Sequence, residues 1–538
     1  MTPDAPSFFT LDRGTVSTAA TLIAPVEGRY RMLAASAAPA AIDPEAMLED
    51  LAWRVARTDA TVAGSMEGWR EWSRLEVRSI RPPRACLVAA SAETGSLLER
   101  VFVGAGWHVA GRFFGPEPDL IALGGACLES SLDAVVMAGR DDADQEERDR
   151  ARLLWPRTGS LARLRDDLAV IACGPFIERP EGIPDDRLFS LPAPDPAATG
   201  PSSPLFQAAA QVGAHLVSDG DPLALDSRSA LRRSVSSLAV LLGKRVDGIE
   251  VGAAAASRTL ANADGELRHA VLASAGLLPH EILDDVEAAE AVLRWSAVAG
   301  DPATRLDRVR ELVLHPWSAI DGDGLHLRLA MLRTALERLQ LGWDSLATES
   351  RPDDAAADVL VLAGGGFALL PAAAVALAVA DGVRRPGAFT ILHDHAAVLA
   401  PLGALPVEGD RRRLLADLMD DCLLPVGSVV LTGAPGETGK DRGRVTISTP
   451  LFEDELPLEP GLRLVDLPPG IVARLEIDPG QGSLLGVSGQ RFGLEVSGGL
   501  GGLLLDMRPI PLDLPSGAEQ RRALLEAWEE PAWVGSDR

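Results

Sequence analysis

The residues best suited to chemistry lie close to the N-terminus. In Leu11-Asp12-Arg13-Gly14-Thr15-Val16-Ser17-Thr18 a carboxylate stands two residues before a glycine, and three hydroxyls follow. A glycine at that place lets backbone N–H groups turn inward as an anion nest. Hydroxyls add donors for phosphate oxygens, and the acid can hold Mg²⁺ through water. Asp12, Gly14, Thr15, Ser17 and Thr18 are therefore the candidate phosphate-binding residues, with Asp12 as the Mg²⁺ anchor and a candidate catalytic group. The motif is short, and an ordinary hairpin with a polar bend is the alternative reading.

The same unit returns further along the chain. Ile249-Glu250-Val251-Gly252-Ala253-Ala254-Ala255-Ala256 repeats the acid and the glycine, and Thr21-Leu22 is matched by Thr259-Leu260 at the same offset. Agreement over a whole strand-loop-strand unit points to internal duplication. In the second copy alanines fill the hydroxyl positions and Glu250 replaces the aspartate. Gly252 can still offer a backbone amide to phosphate. In-line hydrolysis needs Mg²⁺ and an oriented water, so efficient ATP turnover is not expected there. For phosphate transfer to a small molecule, Glu250 is the one group placed to act as base.

A third glycine element, Leu362-Ala363-Gly364-Gly365-Gly366-Phe367, joins an apolar run to a helix-forming sequence. Gly364, Gly365 and Gly366 would let a base and ribose approach the backbone closely, although a tight strand-to-helix turn without ligand uses the same residues. Downstream, His393-Asp394-His395 suggests a metal site but lacks a further ligand cluster. Ala434-Pro435-Gly436-Glu437-Thr438-Gly439-Lys440-Asp441 imitates a Walker A loop without its first glycine or final Ser/Thr, and is rejected as one. Neither a G-x-S-x-G elbow nor an H-E-x-x-H pair occurs in the sequence.

These residues must be carried by a large scaffold. A chain of 538 residues with 47% hydrophobic and 24% charged residues is long enough for several globular domains. Its net charge of −26 repels nucleic acid and anionic lipid, so neither is an expected partner. Cys86, Cys127, Cys173 and Cys422 are widely spaced, and Met1-Thr2-Pro3-Asp4 opens no signal peptide, so a reduced cytoplasmic protein is expected. The uncharged run Val359 to Ala380 reaches membrane-spanning length. Its glycines and Pro371 instead predict a buried strand, a glycine turn and a buried helix.

Around the first loop, Phe8 to Leu11 and Tyr30 to Ala34 read as strands with a hairpin near Glu27-Gly28, and Asp43 caps a helix over residues 44–57. From Cys86 short apolar runs, among them Leu120 to Leu123 and Ala134 to Met137, alternate with helical stretches. That pattern predicts a mainly parallel α/β sheet, with Gly124-Gly125 and Gly174 at strand ends. A Pro/Ala/Asp/Ser-rich stretch from Leu191 to Pro204 reads as a linker, and helical patterns dominate residues 204–345. After about residue 401 short strands lie between Gly/Pro turns, and a terminal helix follows. The expected fold class is α/β: duplicated actin-like, ribonuclease H-like lobes over 1–200 and 201–400, with a β-rich domain over 401–538.

The D-x-G-T-x-S-T loop, its degenerate second copy, the triple glycine with the Asp394 segment and Pro401-Leu402-Gly403-Ala404-Leu405 together resemble the glutamate mutase L (MutL) family. The likeness is closer to its long, Chloroflexi-type members, whose tail carries G-G-x-x-G-L-I-I-D-A-R-G-R-P-L. Here that tail is Gly498 to Leu512, with Asp506 and Arg508 at the matching places. The resemblance implies an actin/Hsp70/sugar-kinase superfold, ATP with Mg²⁺ as ligands, and a protein partner, a cobalamin-dependent mutase whose spent cofactor an ATP-driven accessory factor helps to replace. A catalytically inactive actin-like scaffold and a small-molecule kinase of the same superfold are the alternatives.

Overall fold

In the computed structural model, residues 7–58, 68–140, 142–174, 182–200, 203–217, 225–279, 281–318, 320–345, 357–432, 443–479, 483–484, 487–488 and 490–533 are described. The chain divides into two units. One comprises Met1–Arg78, Ser227–Glu266 and Ala275–Arg538, and the other Ser79–Asp226 with Leu267–Ser274.

The first lobe of the larger unit begins with β1 (Phe8–Arg13), β2 (Ser17–Val26) and β3 (Arg29–Pro39), an antiparallel meander. Glu27 and Gly28 turn the second hairpin with φ of 50° and 84°, the consecutive left-handed pair whose twist suits two joined strands. β4 (Ser73–Arg78) lies parallel to β1 on its other side, giving the order β4-β1-β2-β3. Phe9, Leu11 and Leu22 share a core with Met47, Leu48, Leu51 and Val55 of the helix Pro44–Thr58. The spacing of those four helix residues puts them on one stripe. The Asp43 carboxylate accepts the Glu45 N–H at 3.1 Å, satisfying one of the helix's orphan donors.

The smaller unit carries a wholly parallel sheet. Its strands are β5 (Arg84–Ala89), β6 (His108–Phe114), β7 (Ala134–Ala138), β8 (Ala169–Cys173) and β9 (Leu188–Leu191), in the order β6-β5-β7-β8-β9. Alternate side chains of β5, β7 and β8 feed two separate cores. Leu87, Val136 and Ile171 meet Phe102 and Phe206 on one face, whereas Val88, Val135 and Val170 meet Leu123 and Trp155 on the other. Strands buried on both faces read as continuous apolar runs, which is why this sheet is visible in the sequence. Leu120 to Leu123 differs from the strand expected of it. It opens the helix Leu120–Cys127, because Asp119 accepts the Ile121 and Ala122 N–H groups at 3.0 and 2.9 Å. Gly124 and Gly125 therefore lie inside a helix.

The second lobe starts with helix Ser227–Leu242, then β11 (Val246–Val251) and β12 (Ala256–Ala261), paired antiparallel; two-residue β10 (Leu225–Asp226) and β13 (Leu267–Leu272) belong to the smaller unit. β14 (Val359–Ala363) runs parallel to β11, β15 (Gly387–Asp394) parallel to β14, and β16 (Leu423–Leu431) antiparallel to β15. The run Val359 to Ala380 thus resolves into strand, glycine turn and the helix Ala372–Val383. Among the described residues no helix is long and apolar enough to cross a membrane.

Beyond β16 come β17 (Arg444–Ser448), β18 (Glu453–Pro457), β19 (Leu462–Val465), β20 (Val472–Asp478), the short pair β21 (Ser483–Leu484) and β22 (Val487–Ser488), β23 (Phe492–Ser497) and β24 (Leu503–Asp506). β18-β17-β20-β23 form an antiparallel sheet. β24 pairs with β16 and β19 and so extends the large one. In β20 Ala473, Leu475 and Ile477 face a core while Val472, Arg474 and Glu476 face solvent, the period-two pattern of a half-buried strand. Helix Ala518–Trp533 closes the described chain.

Candidate functional site

The two acid-glycine loops share one hydrogen bond. In the first, Gly14 N–H donates to the Ser17 carbonyl at 2.8 Å; in the second, Gly252 N–H donates to the Ala255 carbonyl at 3.0 Å. The flanking strands keep the same register, Asp12 opposite Ala19 and Glu250 opposite Ser257. A Cβ on either glycine would meet the carbonyl its own N–H bonds, at 2.8 Å for Gly14 and 3.1 Å for Gly252. At Gly14 a Cβ would force the turn to shift, and at Gly252 it would be a tight contact.

Side chains directly opposite one another share a sheet face, and neighbours along a strand do not. Asp12, Ala19 and Ser17 accordingly stand on one face, and Thr18 on the other with Arg13. Thr18 is buried and Thr15 is exposed. In the second lobe the Ser257 hydroxyl donates to Glu250 at 2.8 Å, and Glu250 is only 8% exposed. Ser257 is the residue the sequence reading missed. Counting hydroxyls inside the loop looks past the strand position opposite the acid, yet the register places one there.

The triple glycine closes on both loops. Gly364 has φ of 88°, and a Cβ on it would lie 2.6 Å from the Val251 carbonyl oxygen and 3.2 Å from Glu250 Cγ. A Cβ on Gly365 would lie 3.9 Å from Ser17 Oγ, and one on Gly366 2.7 Å from Val251 Cγ1. Ser17, Glu250 and Gly364–Gly366 thus lie near one another. Arg328, which that reading did not single out, holds the turn by donating to the Gly365 and Ala368 carbonyls at 2.9 and 3.2 Å. Burial pulls its pKa down from the usual arginine range.

Two further contacts bear on the loops. Trp317 Nε1 donates to the Val16 carbonyl at 2.9 Å, and the same oxygen accepts Ala40 N–H at 2.9 Å. Leu277 and Leu278 N–H groups donate to the Gly252 and Ala253 carbonyls at 2.9 and 2.8 Å, so a crossing segment covers the second loop.

His393, Asp394 and His395 sit behind the turn. Asp394 accepts the Val398 and Leu399 N–H groups at 2.9 Å each, and His395 Nδ1 lies 3.0 Å from the Cys422 carbonyl. Burial raises the Asp394 carboxyl to about 6 against the pull of those two amides. It lowers His393 to about 4, helped by the nearby His395. Among the described residues no three His, Cys, Asp or Glu side chains gather as a metal site. Mg²⁺ bound with nucleotide typically takes one or two carboxylates, the phosphates and waters, and Asp12 fits that donor set. The false Walker A stretch, 434–441, lies outside the described residues.

Strand order, parallel partner and loop register agree between the lobes, each with its hairpin on one side of the first strand and a parallel strand on the other. The two lobes share one topology. No family model matches the chain, and no curated protein does. Among solved structures it is similar to the activator of the 2-hydroxyisocaproyl-CoA dehydratase from Clostridium difficile with bound ADPNP, at 10% identity over 76% of this chain and 97% of that one, TM-score 0.27. It is also similar to nucleotide-free acetone carboxylase, 10% over 99% and 85% at 0.28, and to the PilM-PilN type IV pilus biogenesis complex, 14% over 76% and 94% at 0.24. Likenesses of that size carry no weight on activity, and the fold is read from the strands themselves.

Proposed function

We propose that this chain is a nucleotide-binding, actin-like accessory protein that acts on a partner protein through opening and closing of its two lobes, with little turnover of its own. The observation that supports it is the meeting of two register-matched glycine loops with a glycine turn, Ser17 and Glu250 each lying against Gly365 or Gly364. Asp12 would hold Mg²⁺, and Gly14, Thr15, Ser17 and Gly252 would meet phosphate. Gly364, Gly365 and Gly366 would leave backbone bare for base and ribose. Weak turnover follows from the alanines at 253–256 and from a Glu250 already committed to Ser257.

The resemblance to glutamate mutase L makes a cobalamin-dependent mutase the partner to test. A scaffold without nucleotide is favoured by one set of contacts, the Trp317 and Leu277/Leu278 bonds that hold both loops shut. Calorimetry with ATP and Mg²⁺ separates the two. Saturable heat that Asp12→Ala removes supports nucleotide binding, and an absence of heat with the unaltered chain leaves the scaffold. Phosphate release unchanged in Glu250→Gln would remove Glu250 from any catalytic part.

A further inference from the structure

Helix Gly322–Ser345 sends Arg328 to the glycine turn, where its Nε and Nη2 donate to the Ala368 and Gly365 carbonyls at 3.2 and 2.9 Å. Those two bonds fix the plane of the guanidinium, in a side chain only 8% exposed. They occupy two of its three nitrogens. Nη1 has no acceptor among the described residues, and it is not one of the fully buried orphan atoms, so solvent reaches it.

The charge of Arg328 lacks a counter-charge as well. Arg140, Arg258, Arg333 and Arg508 are as deeply buried or deeper, and each bonds at least one carboxylate. Arg411 has Glu408 one turn earlier in its own helix. For Arg328 burial acts alone, with no carboxylate opposing it. Glu250, which stands beside Gly364, takes the Ser257 hydroxyl instead. Carbonyl dipoles offset part of the cost of burying a guanidinium, and an oxyanion on the open edge would offset the rest.

Gly365 ties that edge to the first loop. Its carbonyl takes Arg328 Nη2, and a Cβ on it would lie 3.9 Å from Ser17 Oγ. Ser17 and Arg328 therefore flank the same glycine. We propose that Arg328 is a phosphate-binding residue of the glycine-turn site, with Ser17 as its partner donor. The assignment rests on the nucleotide-binding reading of that site. It places an anionic group at Gly365 and leaves the rest of the turn to base and ribose.

The test titrates the full chain with ADP, inorganic pyrophosphate and adenosine, each with Mg²⁺, by calorimetry. Arg328→Gln keeps a donor for the turn carbonyls and removes the charge. It is expected to weaken ADP and pyrophosphate at least about tenfold and adenosine much less, and Arg328→Lys, which restores the charge, should recover most of the loss. Equal losses for ADP and adenosine overturn the proposal, since Arg328 then only shapes the turn. So does ADP binding that Arg328→Gln leaves intact, an outcome that spares the nucleotide reading. Pyrophosphate binding that depends on Arg328, without any binding of ADP, keeps the anion site and removes the nucleotide. No heat with either ADP or pyrophosphate overturns both. If far-ultraviolet circular dichroism shows Arg328→Gln unfolded, Ser17→Ala and Arg328→Lys are combined: losses of pyrophosphate affinity that fail to add support a phosphate shared by the two, and additive losses count against it.

Discussion

Ser257 donates its hydroxyl to Glu250 at 2.8 Å, and the pair at the same register in the first lobe is Ala19 opposite Asp12. The two acids therefore differ less in length than in company. Ser257→Ala removes a charge-assisted bond at a buried site and is expected to cost about 1.5–3 kcal/mol of stability. Ala19→Ser, at the corresponding place, should change stability by no more than about 0.5 kcal/mol. Urea unfolding measures both, and equal effects would mean that the Ser257 bond contributes nothing particular.

The loop glycines are separable in the same way. A Cβ on Gly14 meets the Ser17 carbonyl oxygen at 2.8 Å, inside any real Cβ contact, whereas at Gly252 the approach to the Ala255 oxygen is 3.1 Å. Gly14→Ala must displace backbone and should destabilise by about 1–3 kcal/mol, and Gly252→Ala by less. Nucleotide affinity, measured by calorimetry, should fall further for Gly14→Ala than for Gly252→Ala.

Much of this was legible in sequence because the loops are backbone devices, and glycine is the residue that such devices need. The offset between Asp12 and Glu250 predicted equivalent turns, and the turns share their hydrogen bond. What weakens the repeat outside the loops is the packing behind it. Phe9 and Ala20 pack on an apolar helix, but their counterparts Asp247 and Arg258 form a buried ion pair, with Arg258 also donating to Gln340 and stacking on Trp343. One topology can carry either solution, so side-chain identity drifts while register stays. Leu120–Leu123 misled for a different reason: a four-residue apolar run has no period, and the Asp119 cap decided it. Trp317 and Arg328 gave no signal because their partners, Val16 and Gly365, are distant in sequence.

The tail motif also has a structural account. Asp506 and Arg508 join Arg384, Asp381, Arg333 and Glu529 in a buried network, with Arg508 bonding Asp381 and Asp506 at 2.6 and 2.7 Å and Arg333 bonding both Asp381, at 2.6 Å, and Glu529. The network links the helix after the glycine turn to the terminal helix. Arg333→Ala leaves two carboxylates without their shared cation and should cost about 3–5 kcal/mol. Arg491→Ala, at an exposed pair with Asp478, should cost under about 1 kcal/mol. Chemical denaturation of the two variants side by side checks the contrast.

His393 and Asp394 are neighbours with opposite responses to acid. Asp394 titrates near 6 in the folded chain against an ordinary 3.8, so the folded state holds that proton more tightly and stability rises as pH falls from about 6 towards 4. His393 titrates near 4 against an ordinary 6.5, so it is the unfolded state that takes up the proton, and stability falls as pH drops from 6.5 towards 4. Each shift is worth about 3 kcal/mol, and the two contributions nearly cancel in the unaltered protein. Removing one should expose the other. Asp394→Asn is expected to lose stability on acidification from pH 6.5 to 4 more steeply than the unaltered chain, and His393→Phe to gain it over the same interval. Urea midpoints measured across that interval decide the matter, and parallel profiles for all three proteins would show that neither group is perturbed by burial.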